Sequence, residues 1–231
     1  MTGNNIFIDL GTNAEMVVYN GKELHAASAA CGPALEAGNL KCGIASVKGA
    51  INHIRIENGK CIYETIDDAP AIGICGSGVI DLVAQLKENE IIDEGGLFQG
   101  EYADKDFVIA DKVSISGEDI SQVILAKSAI RSTLTLLLKE ADISEHKINH
   151  VFIAGGLGES SNVSSLVLLG ILPRIFETKV ISCGNTSLLG AKKLLLGSDK
   201  REILGITQKV IVHELANNPD FEKEFLQNLC I

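Results

Sequence analysis

Residues near the N-terminus combine types that could bind a phosphate group and its metal ion. The apolar residues 6–8 end at Asp9, and a glycine, a hydroxyl and an amide side chain follow at Gly11, Thr12 and Asn13. Backbone amides in such a turn can face an anion, and a carboxylate can hold Mg²⁺, usually through water. The tight turn predicts an unusual φ at Gly11. An ordinary β-hairpin with a polar turn is the alternative interpretation.

A glycine loop later in the chain has the position of a nucleotide site. Residues 151–154 are predicted as a short buried strand, and Gly155, Gly156 and Gly158 lie between it and a predicted helix. Open α/β sheets bind nucleotides at the carboxyl ends of their strands, where glycines let a flat base or ribose lie against the backbone. Many α/β proteins that bind no nucleotide have similar turns, so a structural role stays open.

Three further segments combine small residues with helix starts. The segment Gly73-Ile-Cys-Gly-Ser-Gly78 leads into a predicted helix whose free N–H groups suit an anion. It lacks the lysine of a Walker A loop and the spacing of the dinucleotide fingerprint, so tight packing is equally compatible. Gly32-Pro33 places Glu36 in a helical turn, either in solvent or on a ligand. The segment Gly184 to Ala191 opens another helix, and its small residues suit close packing.

The hydrophobic pattern predicts strands first and then alternating helices and strands. A hairpin is predicted at 51–57 and 61–66 across Asn58-Gly59, a strong two-residue turn signal. A long helix at 117–141 has a capping box at Ser116 and Asp119. The other predicted strands cover 6–9, 15–19, 23–28, 151–154, 179–182 and 210–215, and the other helices 77–89, 160–169, 186–196 and 219–229. The pattern favours one mixed sheet with helices on both faces.

Composition limits the classes of function. The 231 residues are 46% hydrophobic, enough for one large core or two small ones. A net charge of −10 without a basic patch disfavours nucleic acid as a partner. No apolar run approaches the roughly 20 residues of a membrane span, and no signal sequence is visible. These features predict a cytoplasmic protein without a membrane partner.

The cysteine spacing is not typical of a metal site. The six cysteines stand at 31, 42, 61, 75, 183 and 230, without a C-x-x-C pair, zinc-finger spacing or ferredoxin clustering. We therefore expect reduced thiols that are buried as small apolar groups.

Five of these segments, in their order along the chain, resemble one family. They are Asp9-Leu-Gly-Thr-Asn13, Gly32-Pro-Ala-Leu-Glu36, Gly73-Ile-Cys-Gly-Ser-Gly78, Ala154-Gly-Gly-Leu-Gly158 and Gly184-Asn-Thr-Ser-Leu-Leu-Gly-Ala191. Together they are similar to the reductive activators of corrinoid proteins, in the ASKHA superfamily of actin, hexokinases and heat-shock chaperones. The resemblance extends through nearly the whole chain, and its order is more specific than any single motif.

The resemblance implies an activity and a set of site residues. Members use ATP with Mg²⁺ to drive electrons from an iron–sulfur cluster to a Co(II) corrinoid on a methyltransferase partner, which becomes Co(I). By analogy, Asp9, Gly11, Thr12 and Asn13 form the second phosphate loop, with Asp9 on Mg²⁺ through water. Residues Gly155, Gly156 and Gly158 form the adenosine loop, and 184–191 match the connecting helix near the hinge. The implied fold is α/β, a single actin-like (ribonuclease H-like) lobe.

The chain departs from the family pattern in what it lacks. Actin-like ATPases close two lobes over the nucleotide, whereas only one phosphate hairpin is visible and eight residues precede Asp9. The ferredoxin domain that carries the cluster is also missing from the sequence, and Ala14 replaces a glycine common in the family loop. We therefore expect residues 1–231 to form the second, C-terminal lobe, with the first lobe and the iron–sulfur domain elsewhere. A homodimer is one possible arrangement.

Two other hypotheses fit the same pattern. One is another enzyme of the superfamily, such as a dehydratase activator or a small-molecule kinase with Asp81 or Glu36 as its base. The other is a protein-binding lobe without nucleotide, in which the glycine loops serve packing alone. The sequence does not choose a role for Glu36, Ser77 or Asp81. It also does not name the corrinoid partner or show whether the isolated chain binds ATP; a lone lobe is expected to hydrolyse it weakly at most.

Overall fold

The computed structural model describes residues 3–103, 105–197 and 200–231. These residues form eleven strands and seven α-helices. The strands are β1 (Asn5–Leu10), β2 (Ala14–Tyr19), β3 (Leu24–Ala29), β4 (Ala50–Glu57), β5 (Lys60–Thr65), β6 (Gly73–Ile74), β7 (Phe107–Ala110), β8 (Val113–Ile115), β9 (His150–Ala154), β10 (Val180–Ser182) and β11 (Val210–Val212). The helices are α1 (Gly76–Glu88), α2 (Gly117–Glu140), α3 (Gly156–Ser160), α4 (Val163–Leu168), α5 (Thr186–Leu195), α6 (Lys200–Thr207) and α7 (Phe221–Gln227).

A mixed six-stranded sheet forms the centre of the molecule, in the order β10-β9-β1-β2-β3-β11. Strands β1, β2 and β3 run antiparallel to their neighbours along the chain, because short turns join them. Strands β9, β10 and β11 join in parallel pairs after helical crossovers. The predicted opening hairpin and the later alternating elements are therefore confirmed, and the later strands join the opening ones at β1 and at β3.

One face of this sheet packs against the long helix α2. Alternate residues of the hairpin point to this face, and Ile6, Ile8, Met16 and Val18 are fully buried. The predicted apolar stripe of the helix is buried with them: Ile120, Val123, Ile124, Ile130, Leu134, Leu137 and Leu138. The capping box is confirmed, since Asp119 N donates to Ser116 Oγ at 3.2 Å and Ser116 N donates to Asp119 Oδ2 at 2.9 Å.

The opposite face is covered only in part. Ile206 of α6 borders an apolar cavity of about 210 Å³ over this face, together with Phe7, Val17 and Phe152. Helices thus lie on both faces, as predicted. Helix α5 has no buried residue, and a Cβ on Gly190 would meet no atom within 4 Å. Among the described residues, nothing packs against Gly190, so the expectation that the small residues of 184–191 serve close packing is wrong at this position.

The second predicted hairpin does not join the main sheet. Strands β4 and β5 pair across Asn58-Gly59, both with positive φ, and form a separate sheet in the order β5-β4-β6. Side chains of α1 occupy the other edge of β4: Ser77 Oγ donates to Asn52 O at 2.8 Å, and Ile56 N donates to Gln85 Oε1 at 2.9 Å. Because these side chains satisfy the strand edge, β4 and β5 stay apart from the main sheet, and the expectation that both hairpins share one mixed sheet was wrong for the second hairpin.

Other differences concern short elements. The helix predicted at 160–169 is two helices, α3 and α4, separated at Ser161 and Asn162. The strands β6, β7 and β8 were not predicted, because two to four residues give little periodicity. The eight-residue helix α6 was also not predicted. The strand predicted at 210–215 ends at Val212, and α7 covers less than the predicted 219–229. Among the described residues, no helix combines the length and apolar character needed to cross a membrane.

The cysteines are six free thiols. Cys31 and Cys75 are buried, as expected, but Cys42, Cys61 and Cys183 are partly exposed and Cys230 is exposed. The expectation of burial was therefore correct for two of the six.

Candidate functional site

Three loops meet at the carboxyl ends of β1, β9 and β10. Asp9 on β1 lies opposite Ala154 on β9 in a parallel pair, so the turn after β1 and the glycine loop after β9 share one edge of the sheet. Gly155 N donates to Gly184 O at 3.1 Å, which brings the loop after β10 to the same place. The sheet thus brings together the two segments that the sequence predicts as phosphate and nucleoside sites. The sequence separates them by more than half of the chain.

Gly155 allows the closest contact between these loops. Its φ is +87°, a conformation that side chains rarely adopt. A Cβ at this position would lie 2.5 Å from both Asp9 Oδ1 and Leu10 O. A larger residue would therefore separate the glycine loop from the turn.

The other two glycines of this loop have different surroundings. A Cβ on Gly158 would lie 2.5 Å from Ile153 Cγ2, so Gly158 lets α3 approach β9. Gly156 is exposed, and a Cβ there would meet nothing within 4 Å. Packing explains Gly155 and Gly158, whereas the bare backbone at Gly156 is open to a ligand.

Asp9 is partly buried and held from the side of α5. Its Oδ2 accepts a hydrogen bond of 3.0 Å from Ser187 Oγ, one turn into the segment that begins at Gly184. Ser187 was not among the predicted site residues, although its place in the motif 184–191 could have indicated it. Mg²⁺ prefers oxygen ligands, so the carboxylate of Asp9 and the neighbouring hydroxyl of Ser187 fit this ion.

The turn after β1 is more closed than predicted. Gly11 N donates to Asn13 O at 3.0 Å, so this amide is not free for an anion. In the described part of the chain, no hydrogen bond uses the amides of Thr12 and Asn13, and both residues are exposed. The φ of Gly11 is not positive, and a Cβ there would make only ordinary contacts, the nearest 3.6 Å from Asn13 O. The prediction of an unusual φ at Gly11 was therefore wrong.

The segment 31–36 lies against this turn. Glu36 is exposed at the end of a short 3-10 helix (Ala34–Glu36), and its Oε2 accepts a hydrogen bond of 2.5 Å from Thr12 Oγ1. Cys31 Sγ donates to Thr12 O at 3.3 Å. Burial raises the pKa of Cys31 to about 11, so the thiol keeps its proton at neutral pH. The Thr12–Glu36 hydrogen bond places Glu36 beside the turn after β1, within the cluster formed by the loops after β1, β9 and β10.

The start of α1 has a packing role. A Cβ on Gly76 would lie 2.4 Å from Leu35 O and 2.8 Å from Leu157 Cδ1, and Gly76, Ser77 and Gly78 are all buried. The hydroxyl of Ser77 donates its hydrogen bond to the edge of β4, at Asn52 O. This helix start is covered by protein, so the anion-site interpretation of 73–78 has no support in the geometry.

Asp81 belongs to a closed polar network. It is 1% exposed, its Oδ1 accepts from Ser165 Oγ at 2.6 Å, and its Oδ2 accepts from Asn162 Nδ2 at 2.7 Å. The same Oδ2 lies 2.9 Å from Nδ1 of His53, and His53, Asn162 and Asp81 all line a surface cavity of about 280 Å³. Asp81 is almost fully buried and neighbouring side chains hydrogen-bond both its oxygens, so it links α1, β4 and α4 and is poorly placed to act as a base on a substrate.

Comparisons with known proteins give the family of this chain. The family described as the C-terminal domain of RACo, the ASKHA domain, matches residues 3–231. The corrinoid activation enzyme RamQ of Eubacterium limosum is 32% identical over 254 residues, which cover 96% of this chain and 42% of RamQ. The [Co(II) methylated amine-specific corrinoid protein] reductase of Methanosarcina barkeri is 26% identical over 247 residues, 96% of this chain and 45% of the reductase.

A solved structure shows the same fold. The reductive activator for corrinoid, iron–sulfur protein superposes with a TM-score of 0.91 at 36% sequence identity, over 100% of this chain and 40% of that protein. The chain thus spans less than half the length of these relatives. The predicted fold class and family resemblance are confirmed, and this chain belongs to the family of RACo C-terminal ASKHA domains.

Proposed function

We propose that this chain is the nucleotide-binding lobe of an ATP-dependent reductive activator, which returns Co(II) corrinoid proteins of methyltransferase systems to Co(I). The family assignment and the names of the relatives support the corrinoid part of the proposal. The loop cluster supports the nucleotide part. The observation that carries the proposal is the contact of Gly155 with Asp9 and Leu10, because it joins a phosphate-type turn to a nucleoside-type loop.

Each loop has a separate task in this proposal. Asp9, held by Ser187, binds Mg²⁺ through water, and the free amides of Thr12 and Asn13 face the phosphate oxygens. The amide of Gly11 closes the turn beside them through its hydrogen bond to Asn13 O. The nucleoside lies on the loop of Gly155, Gly156 and Gly158: the exposed backbone of Gly156 faces it, and the buried Gly155 and Gly158 shape the loop by their close contacts with Asp9 and Ile153. When bound, Mg²⁺ offsets the charge of the phosphates.

Residues 1–231 are proposed to act as one lobe of a larger assembly. The relatives are more than twice as long as the matched region, which leaves room for a first lobe and an iron–sulfur domain. We propose that these parts, in the same protein or another chain, close over the nucleotide and supply the electrons. A homodimer in the cytoplasm would supply a second lobe to close over the nucleotide, and a separate iron–sulfur protein would then supply the electrons. Because one lobe leaves the phosphates open to water, we expect weak ATP hydrolysis by the isolated chain.

The kinase alternative loses one of its two candidate bases. Asp81 is buried and hydrogen-bonded on both oxygens, so of these two candidates Glu36 is the one with an exposed carboxylate. The protein-binding alternative predicts no nucleotide affinity and is tested by the same experiment as the main proposal.

The decisive experiment is calorimetric titration of ATP with Mg²⁺ into the wild type and Asp9→Ala. We expect Asp9→Ala to weaken binding at least about tenfold, roughly 1.4 kcal/mol. Asp111→Ala is the matched control, since Asp111 lies in the turn between β7 and β8, and it should bind like the wild type. Equal affinity of Asp9→Ala and wild type would remove Asp9 from the site. If millimolar ATP neither binds nor raises the melting temperature of the wild type, the protein-binding alternative is favoured.

A further inference from the structure

We infer that Glu36 makes nucleotide binding by this lobe depend on a divalent cation, because its carboxylate orients the hydroxyl of Thr12. This inference rests on the proposed function and adds a residue that the family resemblance did not place at the ligand. Glu36 contacts the turn that follows Asp9, although it lies 24 residues beyond Thr12 in the sequence.

The direction of the Thr12–Glu36 hydrogen bond determines what Thr12 offers to a ligand. An ionised carboxylate only accepts hydrogen bonds, so Thr12 Oγ1 must donate its proton to Glu36 Oε2, 2.5 Å away. The lone pairs of Thr12 Oγ1 then remain for a third partner. A hydroxyl used in this way is a ligand for Mg²⁺, as in phosphate loops where a Ser or Thr hydroxyl binds the metal. If Glu36 is removed, the hydroxyl proton can instead turn toward the ligand.

The charge of Glu36 acts in the same direction. Each of the three loops has a carboxylate beside it: Glu36 at Thr12, Asp9 at Gly155 and Glu159 at Gly184, where its oxygen lies 3.5 Å from the place of a Cβ. Like charges repel, so this edge disfavours a bare polyphosphate. A divalent cation between the carboxylates and the phosphates reverses that effect. Both the hydroxyl orientation and the charge thus favour the metal complex over the free nucleotide.

The backbone holds Glu36 in place before any ligand arrives. Ala37 N donates to Ala34 O at 3.0 Å and closes the 3-10 helix, with Ala37 itself at a φ of +62°. Gly76 packs underneath, since a Cβ there would lie 3.1 Å from the Cα of Glu36. A side chain exposed in solvent but fixed at its backbone has less conformational freedom to lose on binding.

The test is the ratio of ATP affinities measured with Mg²⁺ and with EDTA, by calorimetry on the same chain. We expect a high ratio for the wild type and a ratio at least tenfold lower for Glu36→Ala. Glu36→Gln keeps an acceptor but loses the charge, so its ratio should be intermediate. Glu222→Ala removes an exposed glutamate on α7, the helix that packs against α2, and should keep the wild-type ratio.

Variants of Thr12 separate orientation from charge. Thr12→Val removes the hydroxyl and should lower the ratio, whereas Thr12→Ser should keep it. A wild-type ratio in Glu36→Ala, or in Thr12→Val, would overturn the inference and leave the proposed function intact. If the wild type binds no ATP under either condition, the proposed function is overturned and the role of Glu36 with it.

Discussion

Two regions of this molecule each place a carboxylate beside a glycine-rich segment, but they differ in what remains open. In the loop cluster around Asp9, the carboxylate is partly exposed, one oxygen is held by Ser187, and two backbone amides have no partner in the described chain. Around Asp81, the carboxylate is 1% exposed, and both its oxygens are occupied by neighbouring side chains. The first region can take a ligand, whereas the second has its hydrogen bonds already made.

This difference shows that residue type and glycine spacing do not separate a binding site from a structural bracket. Both segments, Asp9 to Asn13 and Gly73 to Asp81, have small residues, a hydroxyl and an acid. What separates them is the number of polar groups that the fold leaves unsatisfied. A buried carboxylate with all its partners stabilises the fold, and an accessible one with free amides nearby is suited to a ligand.

The largest effect that tests this comparison is expected for Asp81→Ala. Removing the buried carboxylate leaves Ser165, Asn162 and His53 without their shared acceptor, so we expect a loss of about 3 kcal/mol in the free energy of unfolding. Urea denaturation followed by circular dichroism measures it. Asp9→Ala is the matched control and should lose less than about 1 kcal/mol, because only one hydrogen bond is broken. Equal destabilisation by the two substitutions would contradict the comparison.

The next effect compares two glycines of the loop cluster. Gly155→Ala places a Cβ at 2.5 Å from Asp9 Oδ1 with φ at +87°, so we expect about 2 kcal/mol of destabilisation and weaker nucleotide binding. Gly11→Ala meets no atom closer than 3.6 Å and should change stability by less than about 1 kcal/mol. If Gly11→Ala nevertheless weakens ATP binding, the ligand and not the backbone requires the glycine. Thermal melts and calorimetry on both variants give the two readouts.

The smallest effect is a pH dependence at a pair of histidines outside both regions. His25 Nδ1 lies 3.0 Å from His213 Nε2, and burial, followed by the charge of His213, lowers the pKa of His25 below its ordinary 6.5. The unfolded chain then binds more protons than the folded one as the pH falls below about 6.5. We expect the free energy of unfolding to decrease there by at most about 1.4 kcal/mol per pH unit.

Urea titrations between pH 5 and pH 7.5 measure this slope. His25→Gln should flatten it, and His146→Gln, at an exposed histidine of a short 3-10 helix, should not. ATP affinity should stay insensitive to His25→Gln, because His25 faces His213 and Glu23 and not the three loops. A slope that is the same in both variants would show that another group titrates.

Local signals explain why much of the fold could be predicted. The strands of the opening hairpin are short apolar runs, α2 has a capping box and a stripe of seven buried residues, and Asn58-Gly59 marks a two-residue turn. Short elements such as β6 have no such period. The prediction of an unusual φ at Gly11 was wrong for a different reason. A glycine in a turn suggests a positive φ, but the backbone of this turn does not adopt one.

By itself, the sequence determined the residue types, the order of the elements and the two segments that could hold phosphate and nucleoside, because periodicity and turn chemistry act over a few residues. Only the tertiary structure decided which polar groups are paired. The parallel register of β1 and β9 brings Asp9 to Gly155, and the packing of α1 on β4 closes the network around Asp81. Burial and hydrogen-bond partners depend on contacts between distant parts of the chain, so no local pattern distinguishes Asp9 from Asp81.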